Sequence, residues 1–571
     1  MRSITSIVAV LLVAATAFAQ GDQGGQYEIH GEYNATLLNA EKIDLRPQAI
    51  DTILPEIPVR YDLLPAKAET PVRVDSITAA KLTVLAPQQK LYKGYAKAGF
   101  GLYTTPLGEL YYDQARSKDN GYGFHVKHMS SNGGLDDVGP SDYSNNSIHG
   151  YYKHFLPNHE LGGRLIYDRK RVSYYGYPSN DSIEDVISSA VAPPKDARKQ
   201  FYNDIGFQGR IRSLFADSTK IAHDVGIEVH SYSNNTGSRE TNMRVRADLG
   251  MQDGKEIYGG TLLIDNNAYR GKLDGNLGDF TQNGVLIGLM PHVSLREKDY
   301  LVKVGAGMYY DAQGGGTFHF FPQAYGSYSL FDGILVPYAG IDGERKRNSF
   351  RSLTMENPFL TGAPSLQNTS KLYDFYGGMR GSFSNDLGFD LRVSKSRMKD
   401  MPLFVSMARA PFGDRMAAIY DQVDILDLSG ELTYNKPGAV RLNARVDVYT
   451  YSVRRTTEPW NLPPYKLTFG ANYDLRQKLI VKADVIFLGA RKALRYVDGG
   501  MPGTETFAPV TAPTTHNLDG YMDLYLGLEY RYTKRLSLFI DASNLSASKY
   551  ERWYRYPVQR SLIIGGATFS F

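Results

Sequence analysis

The chain contains no cysteine. That absence excludes disulfide scaffolds, thiolate metal sites, cysteine nucleophiles and lipid-modified cysteines. Charge of one sign is not in excess: 64 Lys and Arg face 60 Asp and Glu, a formal charge of +4 over 571 residues. No nucleic-acid partner is expected, because a dedicated binder concentrates basic charge. Long hydrophobic runs are nearly missing. One apolar run, residues 4–17, follows Arg2 and leads into the small-residue site Ala17-Phe18-Ala19. It is too short for a membrane-spanning helix and predicts a cleavable export signal over residues 1–19. No later segment approaches 18 consecutive apolar residues, so no transmembrane helix is expected. The phosphate-binding pattern Gly-x-x-x-x-Gly-Lys is absent, and the 11 histidines are scattered. His125 and His128, three apart on a strand, fall on opposite faces and cannot pair on a metal. No catalytic group, cofactor or metal is therefore expected.

What the sequence does hold is 42 tyrosines and 56 glycines, in two regions of different character. Residues 20–90 contain Pro47, Pro55, Pro58, Pro65, Pro71 and Pro87. Proline at that density blocks helix interiors and central strands. This region reads as an extended N-terminal arm, periplasmic or docked in a lumen. From residue 91 to residue 571, short alternating segments recur. In 242–249, Met243, Val245, Ala247 and Leu249 alternate with Arg244, Arg246 and Asp248. In 440–450, Val440, Leu442, Ala444, Val446 and Val448 alternate with Arg441, Asn443, Arg445 and Asp447. In 479–487, Lys482 and Asp484 separate aliphatic residues; in 517–532, Asp519, Asp523 and Glu529 oppose Met522, Leu524, Leu526 and Leu528. A strand sends successive side chains to opposite faces, so each segment has one greasy and one charged face.

A soluble sandwich would share that alternation. Segment length, alternating short and long connections, and the last strand favour a membrane barrel. Many segments carry ten or more residues, suited to a tilted span. Turns rich in Asn, Asp, Gly and Pro recur near 117–120, 157–159, 216–218, 252–254, 296–299, 331–333, 384–386, 435–438, 476–477 and 532–534. Other connections lie near 104–107, 131–142, 175–199, 234–240, 271–280, 312–316, 347–369, 409–415, 453–463, 491–516 and 545–557. Together they predict a closed, all-β, transmembrane antiparallel barrel of about 22 strands, with 20 and 24 as the neighbouring counts. Short turns then face the periplasm and long loops the exterior. Tyr92, Tyr309, Tyr310, Tyr449, Tyr451, Trp460 and Trp553 are expected in the interfacial girdles.

The polar parity nominates lumen-lining residues: Arg210, Arg212, Arg244, Arg246, Arg441, Arg445, Asp447, Lys482, Asp484, Asp519, Asp523 and Glu529. Opposite signs alternate along the same strands, so a mutually paired wall is favoured over a selective charge ring. The aspartates 136, 137 and 142 lack full calcium-loop spacing and read as ordinary polar loop.

The C-terminal stretch carries Leu538-Phe539-Ile540-Asp541-Ala542-Ser543-Asn544-Leu545, then Lys549-Tyr550-Glu551, then Tyr556-Pro557 and Arg560. A final strand follows with Gly565, Ala567, Phe569 and Phe571 on one parity. This pattern resembles the end of TonB-dependent outer-membrane receptors, and the Tyr/Gly-rich style is similar to Bacteroidota members. The resemblance implies residence in the outer membrane of a Gram-negative bacterium, contact with outer-membrane lipid, and Gly565, Ala567, Phe569 and Phe571 as a signal to the barrel-assembly machinery. It implies transport of a substrate, but the plug domain of well over a hundred residues typical of the family is missing from 20–90. TonB coupling is accordingly left open. The competing expectation is a non-transporting scaffold that docks a periplasmic or surface partner, the former through residues 20–90.

Overall fold

The computed structural model describes residues 92–114, 117–136, 138–176, 198–272, 279–406, 415–495 and 514–571. The expected export signal and the proline-rich arm lie outside the described residues, as does Asp137.

The described chain forms a 22-stranded antiparallel sheet that closes on itself. Each strand pairs with the next barrel strand along the chain, and the first, Gly94–Gly101, also pairs with the last, Leu562–Ser570. At the seam Ala98 lies opposite Ala567. Gly94 donates its N–H to Phe571 O (2.8 Å), and Phe571 donates back to Gly94 O (2.9 Å).

The alternation becomes two surfaces. Apolar side chains crowd the outside: Leu165 is 65% exposed, Ile205 60%, Val304 59% and Phe320 59%. A soluble monomer rarely exposes so continuous an apolar area; lipid tails cover such a band in an outer-membrane barrel. Tyr122, Tyr152, Tyr258, Tyr300, Tyr328, Tyr473 and Tyr530 are exposed near the short-turn ends, where aromatic rings seat at the membrane–water interface.

The structure departs from the sequence reading in four respects. The first outer connection is as tight as a periplasmic turn, with Tyr103 (φ 57°) and Thr104 (φ 51°) in the left-handed region. Several strands far exceed a membrane span; Leu387–Ser406 has 20 residues and Met416–Lys436 has 21. Short ladders stand outside the barrel sheet, Arg491–Arg495 with Thr514–Leu518 and Glu551–Trp553 with Tyr556–Pro557. Asp519 therefore belongs to the connection before the barrel strand Tyr521–Arg531, where it is exposed, rather than to the inner wall. An outer hairpin alternates like a spanning strand, which is why the parity alone misplaced it. Finally, only Tyr310 of the girdle candidates is among the large exposed side chains. Tyr309, Trp460 and Trp553 are buried, and Tyr449 and Tyr451 stack on each other on the parity of Asp447.

Leu165→Arg places a charge in the apolar band and is expected to destabilise the folded barrel by about 2–4 kcal/mol. Gln208→Arg, on the opposite face of the adjacent strand, should change stability by less than about 0.5 kcal/mol. Urea unfolding in lipid vesicles, read by heat-modifiable gel mobility, separates the two.

Candidate functional site: a cap folded into the barrel mouth

The connection between the strands Leu335–Lys346 and Thr369–Ser382 is not a loose outer loop. Its sequence starts a helix at Phe350–Glu356 through a reciprocal cap: Ser352 donates its N–H to Ser349 Oγ (3.1 Å), and Ser349 donates its own to Ser352 Oγ (2.8 Å). Glu240 on the wall accepts the next two free amides, from Phe350 (2.6 Å) and Arg351 (3.2 Å). A carboxylate suits a helix N-terminus because both the bare N–H groups and the peptide dipoles favour negative charge there.

Four apolar residues of this connection are enclosed, while Met355 stays exposed. Phe350 and Leu360 are 0% exposed, Leu366 1% and Leu353 2%. They join one cluster with Tyr174, Tyr202, Tyr232 and Tyr269 from one arc of the wall, Phe404 and Met416 from another, and Trp553 and Tyr556 from the last outer loop. Phe350 stacks on Tyr269 at 5.3 Å between centroids, and Phe359 on Tyr556 at 3.6 Å. Enclosing four such side chains stabilises the closed arrangement by about 6–12 kcal/mol as an upper bound. The connection thus crosses between well-separated strands and roofs the barrel mouth.

Polar contacts fasten its margin. Met416 donates its N–H to Phe359 O (3.0 Å) and Thr361 donates to Met416 O (2.8 Å), while Tyr174, Tyr202 and Tyr420 donate to the carbonyls of Leu360, Pro358 and Ser365 at 2.9 Å each. Three buried aspartates hold the cationic side. Asp204 receives Arg351 Nε (2.6 Å) and lies 2.9 Å from His230 Nδ1. Asp311 receives Arg345 (2.9 and 3.0 Å) and Asn368 Nδ2 (2.8 Å). Asp265 receives Arg244 Nε (2.9 Å) and lies 2.7 Å from Arg347 Nε. That Arg347 N–H has no aligned acceptor, so the contact with Asp265 is one of charge; Nη2 instead donates to the carbonyls of Asp265 (2.9 Å) and Gly284 (3.1 Å).

The residues nominated from sequence fall into several groups. Arg210, Arg244 and Arg246 converge on a cavity of about 890 Å³ whose walls also carry Asp224, Glu228 and Asp248. Arg210 forks onto Asp224, and Arg246 onto Asp248 at 2.8 and 2.9 Å. Arg212 is in register with Glu160 and Asp224. On the far arc Arg445 reaches Asp447 (2.8 Å) and Glu431 (3.2 Å). Arg441 is 3.5 Å from Asn435 Oδ1, and Asp523 accepts Tyr550 OH at 2.7 Å. Lys482 faces Asn472 and Gly527, Asp484 faces Gly470 and Tyr525, and Glu529 faces Ile480 and Phe539. Arg244 and Arg246 also border a second cavity of about 550 Å³ beneath the helix, with Glu228, His230, Glu240 and Arg351. The sequence reading did not find the cap. Its signal was present: Ser349 and Ser352 at capping spacing, followed by Leu353, Phe359 and Leu360 in a segment otherwise read as loop. His125 contacts Glu109 (3.0 Å) and His128 contacts Asn146 (2.7 Å). Among the described residues no group of three or more His, Asp or Glu is placed to hold a metal.

Two outcomes are expected. Asp265→Ala strands Arg347 in a buried site; breaking such a pair costs about 3–5 kcal/mol. Proteolysis within 347–368 should then rise at least about a hundredfold. In the last outer loop, burial pushes the Glu551 carboxyl above its ordinary range, against the lowering influence of the Arg555 N–H and the charges of His516, Arg555 and Arg491. The closed loop therefore holds that proton more firmly than an open one. Its contribution is full below the usual glutamate range of about 4.3 and is lost as pH rises through the raised value. With Trp460→Phe, Trp553 becomes the sole indole of the chain. Its emission should redden with rising pH, and Glu551→Gln should flatten that titration.

No sequence-family model matches the chain, and no curated protein matches it. Solved structures do. The FrpB iron transporter from Neisseria meningitidis aligns with a TM-score of 0.64 at 8% identity, over 85% of this chain and 82% of that one. The pyoverdine outer membrane receptor FpvA from Pseudomonas aeruginosa PAO1 aligns at 0.61 and 11% identity, over 85% and 79%. The siderophore receptor PirA from Acinetobacter baumannii aligns at 0.60 and 11% identity, over 85% and 81%. At such low identity the likeness is one of fold: this chain has the closed 22-strand barrel of the TonB-dependent outer-membrane receptors.

Proposed function

We propose that the chain is an outer-membrane transport barrel whose lumen is closed from the outside by its own connection 347–368 and opens when that cap is displaced. The carrying observation is the burial of Phe350, Leu353, Leu360 and Leu366 against residues from widely separated strands. A loop that merely decorated the surface would not bury four large apolar side chains across the mouth. The fold likeness to a transporter and to siderophore receptors supports passage through the lumen. The paired wall charges support a solvated route without a strong charge filter. Residues 20–90 enter the proposal as a reduced replacement for a plug and as a docking segment for a periplasmic protein, TonB or another. Gly565, Ala567, Phe569 and Phe571 enter it as the assembly signal; Phe569 and Phe571 are both exposed.

The cysteine-free sequence allows a direct test. A Cβ placed at Gly362 would lie 3.6 Å from Thr236 Cβ, within the range a disulfide needs. Oxidised Thr236→Cys/Gly362→Cys protein should show minimal conductance in planar bilayers, with the wild-type level returning on reduction. Replacing 350–366 by a short glycine linker should raise conductance at least about tenfold. Conductance indifferent to both changes, with a stoichiometric partner co-purifying from native membranes, would establish the scaffold reading instead.

A further inference from the structure

The outward face of the strands near their long-loop ends carries an uninterrupted polar row. Cross-strand register places His128 opposite Asn146, Asn146 opposite Arg169, Arg169 opposite Asn203 and Asn203 opposite Ser233. The row continues from Ser233 to Arg239, and from Arg239 to Arg270. One outward step toward the short turns, the first four positions become Val126, Ile148, Tyr167 and Ile205. On those four strands the row borders the apolar band, where acyl chains give way to headgroups; on the next three the following positions are Ser231, Thr241 and Ala268, so there the row stands on the headgroup side of the band.

Its chemistry is cationic and amide-rich. Arg239 and Arg270 stand directly opposite each other, an arrangement that repels unless an anion lies between them. Arg270 is engaged by Asp279 at 2.5 and 3.0 Å. Among the described residues no carboxylate lies within ion-pair distance of Arg169 or Arg239. Arg169 is exposed, and its guanidinium lies over the Phe201 ring at 4.9 Å, which limits where it can swing. Just above, Arg171 and Lys199 converge on Asp142 at 2.9 and 3.9 Å. The cations of this patch outnumber its carboxylates, while Asn146, Asn203 and Ser233 offer hydrogen bonds suited to sugar hydroxyls.

We propose that this face binds the phosphorylated glycolipid of the outer leaflet, with Arg169 and the Arg239–Arg270 pair on its phosphates and the amide side chains on its sugars. Guanidinium forks suit phosphate geometry, and a cation beside an anionic membrane surface draws charge from the headgroup layer. The site is independent of the lumen and stands whether or not the barrel conducts.

The test uses the full chain in nanodiscs containing lipid A, with native mass spectrometry of the glycolipid retained after detergent exchange. The wild-type protein should retain about one equivalent. Arg169→Gln and Arg239→Gln should each lower retention about fivefold, the factor expected for one surface cation. Lys534→Gln, exposed in a short turn, should leave it unchanged. Dephosphorylated lipid A should be retained no better by the wild type than by the double variant. Heat-modifiable mobility confirms that each variant is folded, and the dephosphorylated lipid tests the same point on unaltered protein. Equal retention of intact and dephosphorylated lipid, equal retention by wild type and double variant, or competition by millimolar inorganic phosphate that matches lipid A in affinity would each overturn the proposal.

Discussion

A backbone that crosses hydrocarbon must bond every N–H and C=O within itself, and the structure follows from that requirement. An open sheet of any length would leave two bare edges. Here the edges meet: the strand Gly94–Gly101 lies between Thr105–Asp113 and Leu562–Ser570, and the seam ends on the mutual hydrogen bonds of Gly94 and Phe571. Glycine makes the approach feasible at the tightest point, where a Cβ at Gly566 would sit 2.1 Å from Ala98 O. Closure then dictates the rest of the surface chemistry. One parity of each strand meets lipid, and the other meets whatever fills the interior.

A ring of 22 strands is too wide for its wall side chains to fill. The outer end is filled by chain instead. The cap pairs two kinds of contact that differ physically. Its aromatic and aliphatic side gains from leaving water wherever it finds a fitting surface. Its charged side tolerates burial only because each aspartate keeps at least two cationic, imidazole or amide partners: Asp204 with Arg351 and His230, Asp311 with Arg345 and Asn368, Asp265 with Arg244 and Arg347. The first supplies affinity. The second sets position, since a displaced cap leaves unpaired charge on both sides.

Legibility from sequence followed the range of the interactions. The strand count was readable because each turn is local, and turn residues announce themselves within three or four positions. Pairing along the inner wall was readable because opposite signs alternate within single strands, as at Arg246 and Asp248 or Arg445 and Asp447. Errors appeared where a local pattern serves two structures. Asp519 sits in an alternating stretch that turns out to join an outer ladder to a strand. Trp460 and Trp553 look like girdle residues but are buried in outer-loop clusters. Nothing local distinguishes an aromatic facing a bilayer interface from one facing another loop.

Composition, periodicity and turn spacing by themselves determined a closed barrel with a greasy exterior and a polar opposite face. Those properties depend on neighbours along one strand or across one turn. The roof over the mouth, and the polar row running across adjacent strands, were decided only by the tertiary structure. Phe350 meets Tyr269 and Leu360 meets Tyr174 across long stretches of chain, and Arg239 meets Arg270 only through register. Such contacts exist because closure brings distant strands to fixed heights around one ring, and no window of sequence contains that geometry.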